Sequence, residues 1–286
     1  MQADETDQDT GTAAVDVVVY TFNQKDYLAE TLDSILAQKT TFPFRIVVHD
    51  DASTDGTREI IEDYANRHPD LFHRILQTEN QHSKGHRIVT FVWPHLRAEY
   101  VALIDGDDTW INTEKLQKQF DFMNANPDCA LCHTQVDYFD HSQGKVVQTS
   151  PPRRFRRPKL PVQAMANGNF VHTVAVMIRR STLPELPADF GTIGFGDYAL
   201  FSLVARAGFI GFIPETMAQY RIHGTNAWFQ RTHRNRVRAR DRAEAYIMTK
   251  LSDDQRRAWK RSQWLSLKGL LRKARRITDA LTSREE

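Results

Sequence analysis

The chain has 286 residues, 41% of them apolar and 26% charged, with a formal net charge of +2. That length suits one large α/β domain with an appendage or two small domains, and the composition is that of an ordinary globular protein. No apolar run approaches the roughly 18 residues a bilayer-spanning helix needs, and two cysteines cannot build a disulfide framework, so both of those classes are excluded.

The net charge conceals an asymmetry. Residues 231–286 carry 17 Lys and Arg against 7 Asp and Glu, so the remainder of the chain is acidic. A basic appendage on an acidic domain suggests an anionic partner: a membrane surface, a polyanion or a phosphorylated acceptor. Met1 to Ala14 is polar and acid-rich, unlike a secretory signal, and is expected to be a disordered leader. Together with the two cysteines this points to a reducing cytoplasm.

In chain order, Val15 to Tyr20 is a β-branched run that predicts a buried strand. Lys25 to Gln38 places Leu28, Leu32, Ile35 and Leu36 at helical spacing. Phe44 to His49 predicts a second strand, ending in Asp50-Asp51, and a helix follows from Thr57 to Arg67 with Asp55 or Thr57 as its N-cap. His73 to Gln77 predicts a third strand and Lys84 to Arg97 a third helix. Tyr100 to Ile104 predicts a fourth strand, running into Asp105-Gly106-Asp107-Asp108. Beyond this the pattern is less regular. Pro151 to Pro161, with its two arginine pairs, predicts an exposed loop; Phe170 to Ile178 predicts a strand, and Gly196 to Ala207 a helix. Past Trp228 the pattern is helical and basic, and no internal repeat is present.

Strands alternating with helices imply a parallel sheet covered on both faces, whose ligands bind beyond the carboxyl ends of its strands. Three predicted strands end there in polar clusters, Thr21-Phe22-Asn23, Asp50-Asp51 and Asp105 to Asp108, so the acidic residues converge on one edge. Hard carboxylate oxygens at Asp105 and Asp107 suit Mg²⁺ or Mn²⁺, and a small residue at Gly106 lets a diphosphate come close.

Val19-Tyr20-Thr21-Phe22-Asn23, Val47 to Thr57 and Ile104-Asp105-Gly106-Asp107-Asp108-Thr109-Trp110 together resemble the family 2 glycosyltransferases. Lys115-Leu116-Gln117-Lys118-Gln119, Asn126-Pro127-Asp128, Gly196-Asp197-Tyr198 and Tyr220 to Asn226 extend the resemblance over residues 15–228. It implies an α/β fold of the GT-A nucleotide-sandwich type, with a mostly parallel sheet flanked by helices and a basic α-helical extension at 229–286. A nucleotide-binding half at 15–110 and an acceptor-binding half at 111–228 follow. The resemblance also implies an inverting transfer from a nucleotide-diphosphate sugar, a UDP-sugar as in the better-known members, to a hydroxyl of a glycan, lipid-linked or small-molecule acceptor. In that reading Tyr20 meets the base through its backbone, Phe22 lies against base or ribose, Asp51 accepts from the nucleobase and Lys84 stands near the phosphates. Asp105 and Gly106 line the donor, Asp107 ligates a Mn²⁺ or Mg²⁺ ion, His223 reaches the diphosphate or metal, and Asp197 is the general base. The family's usual Glu-Asp pair is Gly196-Asp197 here, which puts one acceptor contact in doubt.

Other signals are weaker. Asp51, Ser53, Asp55, Gly56 and Glu62 imitate a calcium loop, but a strand precedes it and Arg58 stands where an apolar residue belongs. Cys129-Ala130-Leu131-Cys132-His133 imitates a haem attachment site and reads better as a strand with two buried thiols. His133, His172 and Trp228 are candidate sugar contacts or core residues. In the tail, Trp259, Trp264, Leu267, Leu270 and Leu271 interleave with cations over 255–277, as in a helix lying on anionic lipid, though packing on the domain explains the apolar residues equally; nucleic acid is not expected as a partner. Two rival functions are a sugar-phosphate nucleotidyltransferase, whose Gly-rich loop after the first strand is missing, and a non-catalytic glycan or nucleotide-sugar binding module.

Overall fold

The computed structural model describes residues 13–224, 226 and 232–282. Strands β1 (Val15–Thr21), β2 (Phe44–Asp50), β3 (Phe72–Leu76) and β4 (Tyr100–Asp105) pair in parallel in the order β3-β2-β1-β4. The sheet then becomes mixed. β9 (Val176–Arg179) runs antiparallel to both β4 and β6 (Cys129–Asp140), and β6 pairs in parallel with the long β10 (Phe209–Ile222). The short β5 (Thr109–Trp110) and β8 (Lys159–Leu160) lie antiparallel to β10, and β7 (Lys145–Ser150) antiparallel to β6.

The central position of β1, between β2 and β4, explains why β-branched residues fall on both of its faces: both are covered. Val17 and Val19 pack with Leu28, Leu32, Ile46 and Ile61 on one face, while Val18 packs with Val47, Leu103, Tyr198 and Phe201 on the other. Helix α1 (Lys25–Leu36) buries Leu28, Leu32 and Ile35 against the first face, and α2 (Thr57–Arg67) adds Ile61 and Tyr64. The buried Asp16 is matched by Arg45 Nε at 2.9 Å and by the amides of Arg97 and Ala98.

Several expected elements are shorter or different. Between Lys84 and Arg97 only Val89–Val92 is α-helical (α3), followed by a 3₁₀ turn at Trp93–His95. The residues that would start a longer helix lie in turns instead: the amides of Lys84 and His86 donate to the Gln81 carbonyl, that of Gly85 donates to the His82 carbonyl, and Gly85 sits at φ +86, outside the helical region. The strand expected from Phe170 begins only at Val176, because Trp110 Nε1 and Gln119 Nε2 take the carbonyls of Val174 and Ala175 from any ladder. The Pro151 to Pro161 segment is not simply an exposed loop. Phe155 is buried, stacked 4.3 Å from Phe170, and Leu160 belongs to β8. Cys129 and Cys132 lie buried and unbridged in β6, with burial pushing the Cys129 thiol up to about 12. Helix α5 (Gly196–Val204) falls where the pattern placed a helix, and α4 (Lys115–Asn124) forms where no element was expected from periodicity.

The C-terminal helices α6 (His233–Lys250) and α7 (Asp253–Thr282) pack on this domain. Ala243, Ile247, Leu251 and Trp259 join the core that contains Tyr198 and Phe201. Trp259, for which a lipid-facing stripe and packing on the domain were both open from sequence, is thus a core residue.

Lys115 is wholly buried. Its Nζ donates to Gln119 Oε1 at 2.7 Å and lies 4.0 Å from the centre of the Trp110 ring. Burial lowers its pKa from 10.5 to about 7. Between those values the unfolded chain binds the extra proton, so stability rises with pH across that window and the cost is constant below it. Lys115→Met is expected to raise the melting temperature at pH 7 and to remove this part of the rise between pH 7 and 10. A variant keeping the wild-type slope would assign the titration to another group.

Candidate active site

The parallel register brings three strand ends to one edge. Thr21 stands beside Asp50, and Tyr20 is flanked by His49 and Asp105. Asp50 is structural, accepting from Thr21 Oγ1 and from the amide and hydroxyl of Ser53. Asp55 accepts from the Thr57 amide and hydroxyl and from the Lys25 amide, tying the start of α2 to α1. Carboxylates committed to backbone amides in this way do not form a calcium loop.

The turn after β4 holds the acidic cluster. Its geometry is fixed from three sides. The Gly106 amide donates to the Tyr20 carbonyl at 2.8 Å. Thr31 Oγ1 donates to the carbonyls of Gly106 and Asp108 at 2.9 and 2.7 Å. Arg221, from β10, gives its amide to Asp108 Oδ1 at 3.0 Å and its Nε to the Asp107 carbonyl at 2.9 Å, and pairs with Glu30 at 2.7 Å. Gly106 does not adopt a left-handed φ. It is required because a Cβ there would lie 2.5 Å from Gln24 Oε1 and 2.7 Å from Thr21 Cγ2. Gly106→Ala is therefore expected to push β4 and the β1–α1 loop apart, costing about 1–3 kcal/mol. A thermal melt indistinguishable from wild type would contradict this packing role.

His223 Nε2 sits 2.9 Å from Asp107 Oδ2, both side chains being largely buried. Its ring is 4.7 Å from that of Tyr27, and Asn226 Oδ1 accepts from its amide at 2.6 Å. Asp197, in the first turn of α5, accepts from Asn169 Nδ2 at 3.2 Å. Its charge reaches the cluster: burial first, then Asp107, then Asp197 hold Asp105 well above the usual carboxylate range. Asp108 is raised by burial, Asp107 and Asp105, with Arg221 opposing them. Burial, with Asp108 and Asp197, pushes Tyr138 up to about 12. Asp105, Asp107, Asp108 and Asp197 thus share one electrostatic environment whose mutual repulsion a cation would relieve.

The remaining expected residues are placed less directly. Phe22 projects from the end of β1, 46% exposed. Tyr20 turns a buried hydroxyl without a hydrogen-bond partner toward the core, with its pKa raised by burial and then by Asp105. Asp51 is buried, and its two carboxylate oxygens accept from the Gln81 and His82 amides at 2.7 and 3.0 Å. Lys84 is exposed and ion-paired with Glu79 on the same loop. At Gly196, a Cβ would stand 3.0 Å from Arg87 Cζ, so a guanidinium fills the room that an acidic side chain would need. His133 is sealed between Phe170 and Phe212, and burial lowers its pKa to about 3. His172 bonds Tyr138 and Ser150 near the cluster, while Trp228 lies outside the described residues.

Arg221, Asn226, Asn169, Thr31 and Arg87 were not singled out from sequence. Arg221, His223 and Asn226 did offer a signal, a compact polar group ending the last strand. Arg87, Thr31 and Asn169 offered none, since each reaches the site from a distant segment.

Residues 16–186 match the family model described as glycosyl transferase family 2. The chain belongs to this family. An uncharacterised protein of Mycobacterium tuberculosis is 37% identical over 213 residues, covering 74% of this chain and 60% of that protein, so the chain spans three fifths of that relative's length. An uncharacterised glycosyltransferase of Nostoc is 28% identical over 219 residues, covering 74% of this chain and 66% of its own. Among solved structures, the Pyrobaculum calidifontis mannosyltransferase PcManGT in complex with GDP-Man and Mn²⁺ aligns at TM-score 0.59 and 19% identity, over 97% of this chain and 84% of that one. Staphylococcus aureus TarS 1–349 in complex with UDP aligns at TM-score 0.58 and 17% identity, over 85% of this chain and 68% of that one. The family 2 chain therefore has the GT-A fold, with helices α6 and α7 added at its end.

Proposed function

We propose that this family 2 protein transfers a sugar, with inversion, from a nucleotide-diphosphate sugar to an acceptor hydroxyl. The supporting observation is the turn after β4 at the carboxyl edge of the sheet, where Asp105 stands beside Tyr20 of β1 and Asp107 Oδ2 lies 2.9 Å from His223 Nε2, with the Asp197 charge among the causes that raise Asp105. PcManGT holds GDP-Man and Mn²⁺, and TarS holds UDP; by analogy the donor here carries a nucleoside diphosphate, a uridine one by preference.

The side chains suit a hard divalent ion such as Mn²⁺ or Mg²⁺. Asp107 and His223 would hold it, with Asp105 as a supporting contact. When bound, it neutralises charge on the departing diphosphate. Phe22 offers an exposed ring to base or ribose, and Tyr20, Gly106 and the Asp51-anchored loop bearing Lys84 border the donor. Asp197 takes the proton of the acceptor hydroxyl. The new bond forms between that oxygen and the anomeric carbon as the carbon–phosphate oxygen bond breaks on the opposite face, its electron pair leaving with the diphosphate. Asn169 orients the Asp197 carboxylate.

The test is a panel of UDP- and GDP-sugars with Mn²⁺ or Mg²⁺, read by proton NMR for free nucleoside diphosphate and anomeric configuration. The proposal expects metal-dependent turnover of one donor with inverted product. Release of a sugar 1-phosphate would favour nucleotidyl transfer. Binding of nucleotide sugar without turnover under any acceptor would favour the non-catalytic module.

A further inference from the structure

Helix α7 has two faces with different fates. The inner face is satisfied by the domain: Trp259 is fully buried, Ser262 Oγ accepts from Asn167 Nδ2 at 3.0 Å, and Gln263 bonds Glu244 and the Ala166 carbonyl. The outer face is not covered. Trp264, Leu265 and Leu267 are each more than half exposed, and Lys260, Arg261 and Lys268 are exposed beside them. At 100° per residue, Lys260, Arg261, Trp264 and Lys268 fall on one side of the helix, with Leu265 and Leu267 at its shoulders. Lys268 Nζ lies 3.7 Å from the centre of the Trp264 ring. An open groove of about 600 Å³, lined by Gln163, Arg257, Arg261 and Leu265 among others, runs beside this face.

The charge of the surface is as one-sided as its position. Asp253 and Asp254 pair with Arg256 and Arg257 at the start of the helix. From Gln255 to Lys268 the helix then carries five Lys and Arg and no acidic residue. We infer that the outer face of α7 docks on an anionic lipid bilayer, with Trp264, Leu265 and Leu267 entering the headgroup region and Arg257 and Arg261 meeting lipid phosphate at the groove. Two such cationic faces would repel one another, so a second copy of the chain is a poor occupant. A nucleic acid would engage the cations but leave the three apolar side chains in water. Interfacial binding uses both classes, apolar burial and attraction to anionic headgroups. Among the described residues no helix is long and apolar enough to cross a membrane, so this contact would be peripheral. The inference is independent of the proposed chemistry, because none of these side chains belongs to the acidic cluster.

Co-sedimentation of the full chain with vesicles tests it, using phosphatidylcholine alone and phosphatidylcholine mixed with phosphatidylglycerol. Binding is expected only to the anionic vesicles, falling as salt is raised. Lys260→Glu with Arg261→Glu should weaken it at least about ten-fold. Trp264→Ala with Leu267→Ala, which keeps every charge, should weaken it several-fold. Both pairs are exposed, so circular dichroism and melting temperature should match wild type. Absence of binding to anionic vesicles, equal binding to neutral ones, or wild-type binding by the Trp264/Leu267 pair would overturn the inference. Salt-sensitive binding to duplex DNA with none to vesicles would overturn it in favour of a polyanion.

Discussion

Asp107→Ala is expected to abolish measurable sugar-nucleotide turnover, with a loss of about 10³-fold or more, corresponding to several kcal/mol of transition-state charge stabilisation. The reasoning separates chemistry from folding. The backbone of this turn is held by Arg221, Thr31 and the Gly106–Tyr20 hydrogen bond, none of which uses the Asp107 side chain. The carboxylate itself touches His223 and raises the proton affinity of Asp105 and Asp108. Removing it relieves like-charge repulsion and frees one partner of His223, so the melting temperature without metal should hold or rise. Loss of activity with retained stability identifies a functional group; a large fall in melting temperature with proportionate loss of activity would make Asp107 a structural residue instead.

Asp197→Asn is expected to lower transfer by about 10²–10⁴-fold while leaving nucleotide affinity within a few-fold of wild type, the range in which loss of a positioned general base falls. Asparagine keeps the size of the side chain and an oxygen for Asn169 Nδ2, so the start of α5 is preserved. What disappears is the capacity to accept the acceptor's proton. Single-turnover transfer and calorimetric nucleotide binding, measured on the same preparation, separate the two effects. Near-normal transfer would move the base elsewhere, and equal loss of binding would place Asp197 on the donor side.

The first half of the fold was legible because each strand carries its own pattern. Val15 to Thr21 is β-branched at five of its seven positions and sits at the sheet centre, and Leu28, Leu32 and Ile35 mark one face of α1. Periodicity failed where side chains far apart in sequence compete for backbone groups. Asp51 anchors the 81–86 loop through the amides of Gln81 and His82, Gly85 within it takes a left-handed φ, and the carbonyls of Val174 and Ala175 go to Trp110 and Gln119, so a helix and a strand are both cut short. The same reason limited the site. Asp105 and Asp107 could be found at a strand end, and Asp197 through the family resemblance, but Arg221, Thr31 and Arg87 act through folding alone. Gly106 was noticed for its smallness, and the fold itself demands it, because a Cβ there would meet Thr21 Cγ2 and Gln24 Oε1. For the basic tail a lipid-facing stripe and packing on the domain were both legible; burial divides it between the two, sending Trp259 inward and leaving Trp264 outside.

The most direct measurement is calorimetric titration of UDP and GDP into the wild-type chain and into Asp107→Ala, each with Mn²⁺ and with a chelator. A metal-assisted donor site at Asp105-Gly106-Asp107 predicts that one of these nucleotides binds the wild type with Mn²⁺ present. It predicts that the affinity falls at least about ten-fold on chelation and that Asp107→Ala with Mn²⁺ behaves like the chelated wild type. Tight binding of either nucleotide that is indifferent to both the metal and the substitution would contradict it.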